Sequence, residues 1–183
     1  MNVNIKKLHE DAVIPKYAHD GDAGFDLVAI EDVIIEPGET ALVKTGLAFE
    51  LPDGYEMQIR PRSGITLKTK LRVQLGTIDS HYRGEVGVIV DNIAQVKIDE
   101  IDLNEKEVTY WTQHHPENIE GDEETNHYQW GGFPHGTYII RKGDRIAQAV
   151  IAPVSRAQFT EVETLGETAR GEGGFGSSGV MAE

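Results

Sequence analysis

Cysteine is absent from this 183-residue chain, which excludes disulfides and thiolate metal ligands and fits a reducing compartment. Long apolar runs are absent as well. The opening stretch MNVNIKKLHE has no signal-peptide core, and no segment nears membrane-spanning length. Residence in the cytoplasm (a host's, if the gene is viral) without a membrane partner is therefore expected. Basic residues are scarce, with 17 Lys and Arg against 31 Asp and Glu and a formal charge of -14. That balance argues against a nucleic-acid substrate, whose backbone calls for a broad basic face. No HExxH, GxSxG or Walker sequence occurs and the seven histidines are scattered, so the chemistries those motifs carry have no foothold. The adjacent His114 and His115 read as a surface pair rather than a metal site.

What is present points to one folded domain. Hydrophobic residues make up 39% of the chain and charged residues 26%, enough apolar surface for a core. Short apolar or alternating runs at 25–30, 33–35, 41–49, 55–60, 86–90, 138–141 and 146–154 read as strands. Pro37-Gly38, Pro52-Asp53-Gly54, Arg83-Gly84 and Gly143-Asp144 read as turns between them. The fold class is all-β: a sandwich, barrel or jelly roll. The best helical candidate follows Ser63, with that serine as its cap.

Two segments break the pattern. Residues 92–134 include a stretch, 99–124, with ten acidic residues and only Lys106 to oppose them. Yet Tyr110, Trp111, Ile119, Tyr128 and Trp130 also lie in this region, and large aromatics need a surface to pack on. The segment either packs on its own subunit or serves as a docking surface. Residues 169–183 are rich in Gly and Ser around a lone Phe175, which reads as a frayed terminus or as an arm that folds over a ligand.

Several clusters carry possible chemistry. In Arg60-Pro61-Arg62-Ser63-Gly64, guanidiniums, a hydroxyl and the amides of Ser63 and Gly64 suit phosphate oxygens, and a solvated turn is the alternative. In the run from Gly76 to Glu85, Asp79 sits at a bend, either as a base acting on water or as a turn-forming residue. Arg145 and Gln148 interrupt an apolar strand, so both need polar partners. The remaining basic residues gather at Lys68, Lys70 and Arg72 and around Arg141 and Lys142. Such small clusters suit a compact polyanion such as a nucleotide, or are ordinary solvated faces.

Taken together and in order, these segments resemble the five motifs of the trimeric dUTP diphosphatases, the dUTPase family. The matching stretches are Ala23–Leu27, Pro61–Gly64, Gly76–Gly84, Gly143–Gln148 and Arg170–Ser177. The resemblance implies a jelly-roll-like (β-clip) subunit spanning 1–168, an acidic, aromatic insert at about 92–134, and a C-terminal arm at 169–183. It further implies a homotrimer whose three sites each draw on all three chains. The reaction would be hydrolysis of dUTP to dUMP and pyrophosphate by attack of water on the α-phosphorus, which lowers dUTP and supplies dUMP for dTTP synthesis.

The resemblance also implies roles. Asp79 would activate the water and accept a hydrogen bond from the sugar 3'-OH. Gly76, Thr77 and Ile78 would read the uracil edge through their backbone, and Tyr82 would pack under deoxyribose. Arg62, Ser63, Gly64, Gln148, Arg170 and Ser177 would hold phosphates, with Phe175 and Gly176 closing over uracil. Asp26 and Arg145 would support the site. Mg2+ would be held by phosphates and water, with no direct protein ligand.

Two departures stand out. Where many family members carry an Asn six residues before the catalytic Asp, this chain has Val73, with Gln74 beside it. The insert resembles one found in bacteriophages of Gram-positive hosts, which implies a possible regulatory protein partner through 92–134. A dCTP deaminase-like activity and a binding module with a vestigial site are the rival readings, and the Asp79/Tyr82 hairpin and Phe175 arm favour the hydrolase over both.

Overall fold

The structure is a computed structural model that describes residues 1–95, 114–124 and 132–174. Eleven strands and one short helix follow in order: β1 (Asn4–Lys7), β2 (Phe25–Val28), β3 (Val33–Ile35), β4 (Thr40–Lys44), β5 (Leu47–Glu50), β6 (Tyr55–Pro61), α1 (Ser63–Lys68), β7 (Leu71–Val73), β8 (Gly76–Asp79), β9 (Gly87–Asn92), β10 (Tyr138–Ile140) and β11 (Arg145–Pro153). They form a four-stranded sheet β2-β11-β6-β8, a three-stranded sheet β4-β9-β7, and the pairs β1-β5 and β10-β3. The all-β expectation is correct.

Period-two alternation explains most of this. In β9, Val88 and Val90 point inward while Ile89 stays exposed; in β6, Met57 and Ile59 do the same between polar neighbours. Their inward faces meet Leu27, Val43, Leu71 and Ile146 in one continuous core. Burying each such side chain contributes about 1.5–3 kcal/mol, so the two larger sheets are held together by the core they share.

Local chemistry departs from the sequence reading in four places. The run 41–49 is not one strand: it breaks at Thr45-Gly46 into β4 and β5. Gly46 has φ +65°, and a Cβ there would meet Ala12 Cβ at 2.9 Å, so the chain turns where only glycine fits. The helix begins one residue earlier than expected. Arg62 is its N-cap, with φ -89° and ψ 130° and no side-chain capping bond, so Ser63 lies inside the first turn with its hydroxyl not used as a cap. Arg145 and Gln148 are exposed rather than buried, because a register shift between Arg145 and Ala147 turns Ile146 and Ala147 inward together. Finally, β1, with one apolar residue in four, and β7, only three residues long, were not read as strands.

The described part of the insert packs on its own subunit. Glu117 N–H donates to Thr137 O (2.9 Å), and Ile139 N–H donates to Glu117 O (2.8 Å), which extends the edge of β10. Arg141 pairs with Glu124 at 3.3 Å. The aromatic residues Tyr110, Trp111, Tyr128 and Trp130 lie outside the described residues. Beyond β11 the chain leaves the body: Val154 N–H donates to Gly54 O (2.8 Å), and residues 155–172 are exposed, with Phe159 at 96% and Leu165 at 88%.

Candidate active site

One cluster forms where β2, β11 and β6 lie side by side. Gln148, on the central strand, pairs in register with Asp26 on one side and Arg60 on the other. Asp26 reaches two arginines. Its Oδ2 accepts from Arg145 Nη1 at 3.2 Å, and its Oδ1 lies 3.0 Å from Arg62 Nε. The Arg62 contact is an ion pair off the hydrogen-bonding line, since this Nε is buried without an aligned acceptor. Arg62 Nη1 also donates to Arg145 O at 2.8 Å. The carboxylate thus holds two guanidiniums close together against their repulsion.

These residues open onto a cavity of about 180 Å³ lined by Arg62, Ser63, Gly64, Ile65, Lys68, Ile119, Glu120, Arg145 and Gln148. The expected phosphate group of Arg62, Ser63, Gly64 and Gln148 is brought together here, with Asp26 and Arg145 behind it. Lys68 and Glu120 are additions. Lys68 lies four residues past Gly64 on α1, a spacing that puts both on one helical face and was readable in the sequence. Nothing in the sequence pointed to Glu120. Lys68 Nζ donates to Glu120 Oε2 at 3.0 Å, and that bond, with the charge of Lys68 and weaker fields from Arg62 and Arg145, holds the Glu120 carboxyl below its ordinary range. Gln148 also borders a second cavity of about 240 Å³ with Gly24, Asp26 and Arg60.

The hairpin residues lie elsewhere. Gly76, Thr77, Ile78 and Asp79 form β8, the outer strand of the four-stranded sheet, paired with β6 along one edge only. Its other edge offers backbone donors and acceptors that a flat polar ring can meet. Asp79 is exposed at the strand's end, and its carboxylate has no hydrogen-bond or ion-pair partner among the described residues. It borders a cleft of about 720 Å³ together with Tyr55, Glu56, His81 and Arg156. Tyr82 Oη donates to Glu85 O at 3.0 Å, and its ring lies where a Cβ on Gly84 would stand.

Register fixes how far apart the two groups are. Asp79 pairs with Glu56 near the start of β6, whereas Arg62 follows its end. Six residues of strand at about 3.3 Å each separate them by roughly 20 Å. One chain does not bring Asp79 to its own phosphate cluster. Arg170 lies on the exposed tail, with Nε donating to Gly173 O at 2.7 Å. Phe175, Gly176 and Ser177 lie outside the described residues.

Among the described residues no three of His, Asp and Glu gather as a metal site. The cationic cavity suits an anion, and so a divalent ion carried in on that anion's own oxygens. No described helix is long and apolar enough to cross a membrane.

Comparison with known proteins identifies the family. The dUTPase family model matches residues 10–105 and 134–179. The chain belongs to the dUTPase family. The deoxyuridine 5'-triphosphate nucleotidohydrolase of Crocosphaera subtropica is 44% identical over 184 residues, covering 98% of this chain and 100% of the relative. That of Nautilia profundicola is 45% identical over 98% and 99%. Among solved structures, the Staphylococcus bacteriophage 80alpha dUTPase with dUpNHpp aligns at TM-score 0.85 and 34% identity, covering 98% of this chain and 99% of that one. A dUTPase variant from phage phi11 of S. aureus, described with a structural Mg(II) ion, aligns at TM-score 0.74 and 33% identity over 90% and 98%. The mostly β sheets described above resemble the jelly roll of these dUTPases.

Proposed function

We propose that the chain hydrolyses dUTP to dUMP and pyrophosphate, in sites built between the subunits of a homotrimer. In a chain of this family, the observation that carries the reading is the pair of arginines braced by Asp26 around Ser63, Gly64 and Gln148. Arg62, the Ser63 hydroxyl, the Gly64 amide and Gln148 bind the triphosphate, and Arg145 keeps Arg62 in place. A Cβ on Gly64 would meet nothing within 4 Å; glycine there leaves the backbone open to a phosphate.

The hairpin of a second subunit supplies the rest. The free edge of β8 at Gly76, Thr77 and Ile78 hydrogen-bonds the uracil edge, and Tyr82 packs under the deoxyribose. Asp79 accepts the 3'-OH and takes a proton from the water that attacks the α-phosphorus. The roughly 20 Å between Asp79 and Arg62 within one chain supports this division. A third subunit's arm, led out by the exposed 155–172 segment, brings Arg170 and Ser177 to the terminal phosphates and Phe175 with Gly176 to the uracil, shedding water from the site. Mg2+, when bound, would be held by the phosphates and water beside Arg62, Ser63 and Gln148 and would supply charge neutralisation for the pyrophosphate.

The enzyme works in the cytoplasm, lowering dUTP and supplying dUMP. A panel of dUTP, dTTP, dCTP and UTP with pyrophosphate detection tests the reading. Release confined to dUTP supports it, and ammonia release from dCTP overturns it in favour of deamination.

A second role is proposed for residues 92–134, as a contact for a regulatory protein. The 80alpha dUTPase is described as controlling transfer of virulence genes, and the likeness of this chain to that protein at TM-score 0.85 over 98% of its length favours the idea. A complex that survives gel filtration with the intact chain but not with a chain altered in 99–113 is the expected result.

A further inference from the structure

Among the described residues, the insert reaches the phosphate cavity through Ile119 and Glu120. Residues 117–123 form a small hairpin, bridged at Glu117 and Glu123. Asn118 braces it from within: its N–H donates to Asp122 O (2.8 Å), and its Oδ1 accepts from the backbone N–H of Glu120 (2.9 Å) and Asp122 (3.1 Å). The hairpin then presses on the end of α1. Gly121 has φ +88°, and a Cβ on it would stand 3.2 Å from Lys68 O, so the approach suits glycine and little else. The consequence is to hold Glu120 Oε2 3.0 Å from Lys68 Nζ at the rim of the cavity that also holds Arg62 and Arg145.

A carboxylate on a lysine in a phosphate cavity is a competitor for the phosphate. We propose that Lys68 is a further substrate-binding residue, and that Glu120 of the insert occupies it until a phosphate oxygen of the nucleotide takes its place. The proposal rests on the reading of this cavity as the triphosphate site. It makes the insert a participant in nucleotide binding rather than an appendage. Because linkage is reciprocal, whatever draws Glu120 away from Lys68 tightens nucleotide binding, and bound nucleotide frees Glu120.

The test is a titration with dUpNHpp, with inorganic pyrophosphate as a second probe. Glu120→Gln should tighten both about two- to fivefold, the scale of an exposed ion pair, and Glu120→Lys further. Lys68→Met should weaken both, and in that background Glu120→Gln should lose most of its effect. Loosening of the hairpin alone would not tighten pyrophosphate. Unchanged or weaker binding by Glu120→Gln overturns the proposal, as does tightening that persists in full in Lys68→Met. Arg62→Ala separates the two levels: if it binds dUpNHpp like the wild type, the cavity is not the triphosphate site. If Arg62→Ala loses binding while Glu120→Gln changes nothing, only the role of Lys68 and Glu120 fails.

Discussion

Asp26 bonds Arg145 and pairs with Arg62 at once, whereas the Asp79 carboxylate has no hydrogen-bond or ion-pair partner among the described residues, and this contrast fits the proposed division between support and chemistry. A carboxylate already committed to two guanidiniums has its oxygens engaged; one without such partners at the end of an edge strand is open to water and substrate. Asp79→Asn keeps the shape and removes the basicity, so kcat for dUTP should fall by about a hundredfold or more while dUpNHpp still binds. Pyrophosphate release alongside analogue titration checks this, and near-normal kcat would remove Asp79 from the chemistry. Asp144 makes a different residue-scale case. Burial raises its carboxyl above the ordinary 3.8, outweighing the hydrogen bond from Arg141 N–H and the charge of that arginine. A folded-state pKa above the unfolded one gives stability that is present below 3.8 and lost as pH rises through the folded value. Asp144→Asn can accept the same hydrogen bond without ionising. Its Tm relative to the wild type should therefore be higher at pH 7 than at pH 4, as thermal melts at the two pH values would show.

Elements were legible where alternation is clean and obscure where a single residue redirects the chain. β9 announces itself through Val88 and Val90, and β6 through Met57 and Ile59. By contrast β1 buries almost nothing, with three of its four residues exposed, so its pairing with β5 comes from the rest of the fold. The bulge in β11 was invisible because Ile146 and Ala147 are both apolar, and only the fold shows that the strand turns both inward. The candidate site divides in the same way. Arg62, Ser63 and Gly64 are contiguous and readable, while the meeting of Asp26 with Arg62 and Arg145 and the arrival of Glu120 beside Lys68 depend on sheet order and on a hairpin far along the chain. Gly46 shows what such a redirecting residue is worth. An alanine there combines left-handed backbone strain with contacts on Ala12, His9 and Ile30. Gly46→Ala should lower stability by about 2–4 kcal/mol, measured as a shifted urea midpoint at unchanged slope.

At the scale of the whole molecule, the sheet that builds the site also divides it. β6 carries Arg62 past one end and holds Asp79, through Glu56, near the other, so in the proposed reading a lone subunit holds both halves of the chemistry and can join neither to its own partner. The exposed Phe159 and Leu165 on the departing tail are apolar surfaces that a neighbouring subunit would cover. If sites are shared as proposed, two inactive variants should rescue each other. Asp79→Asn carries a sound phosphate cluster and Arg62→Ala a sound hairpin. Unfolded together in equal amounts and refolded into mixed trimers, they should recover about a quarter of wild-type turnover, since a site works only when its hairpin and its phosphate cluster each come from the unaltered side. Each variant refolded alone should stay inactive. A mixture no more active than its parents, with mixed trimers verified by mass, would place Asp79 and Arg62 in one chain's site and overturn the shared arrangement.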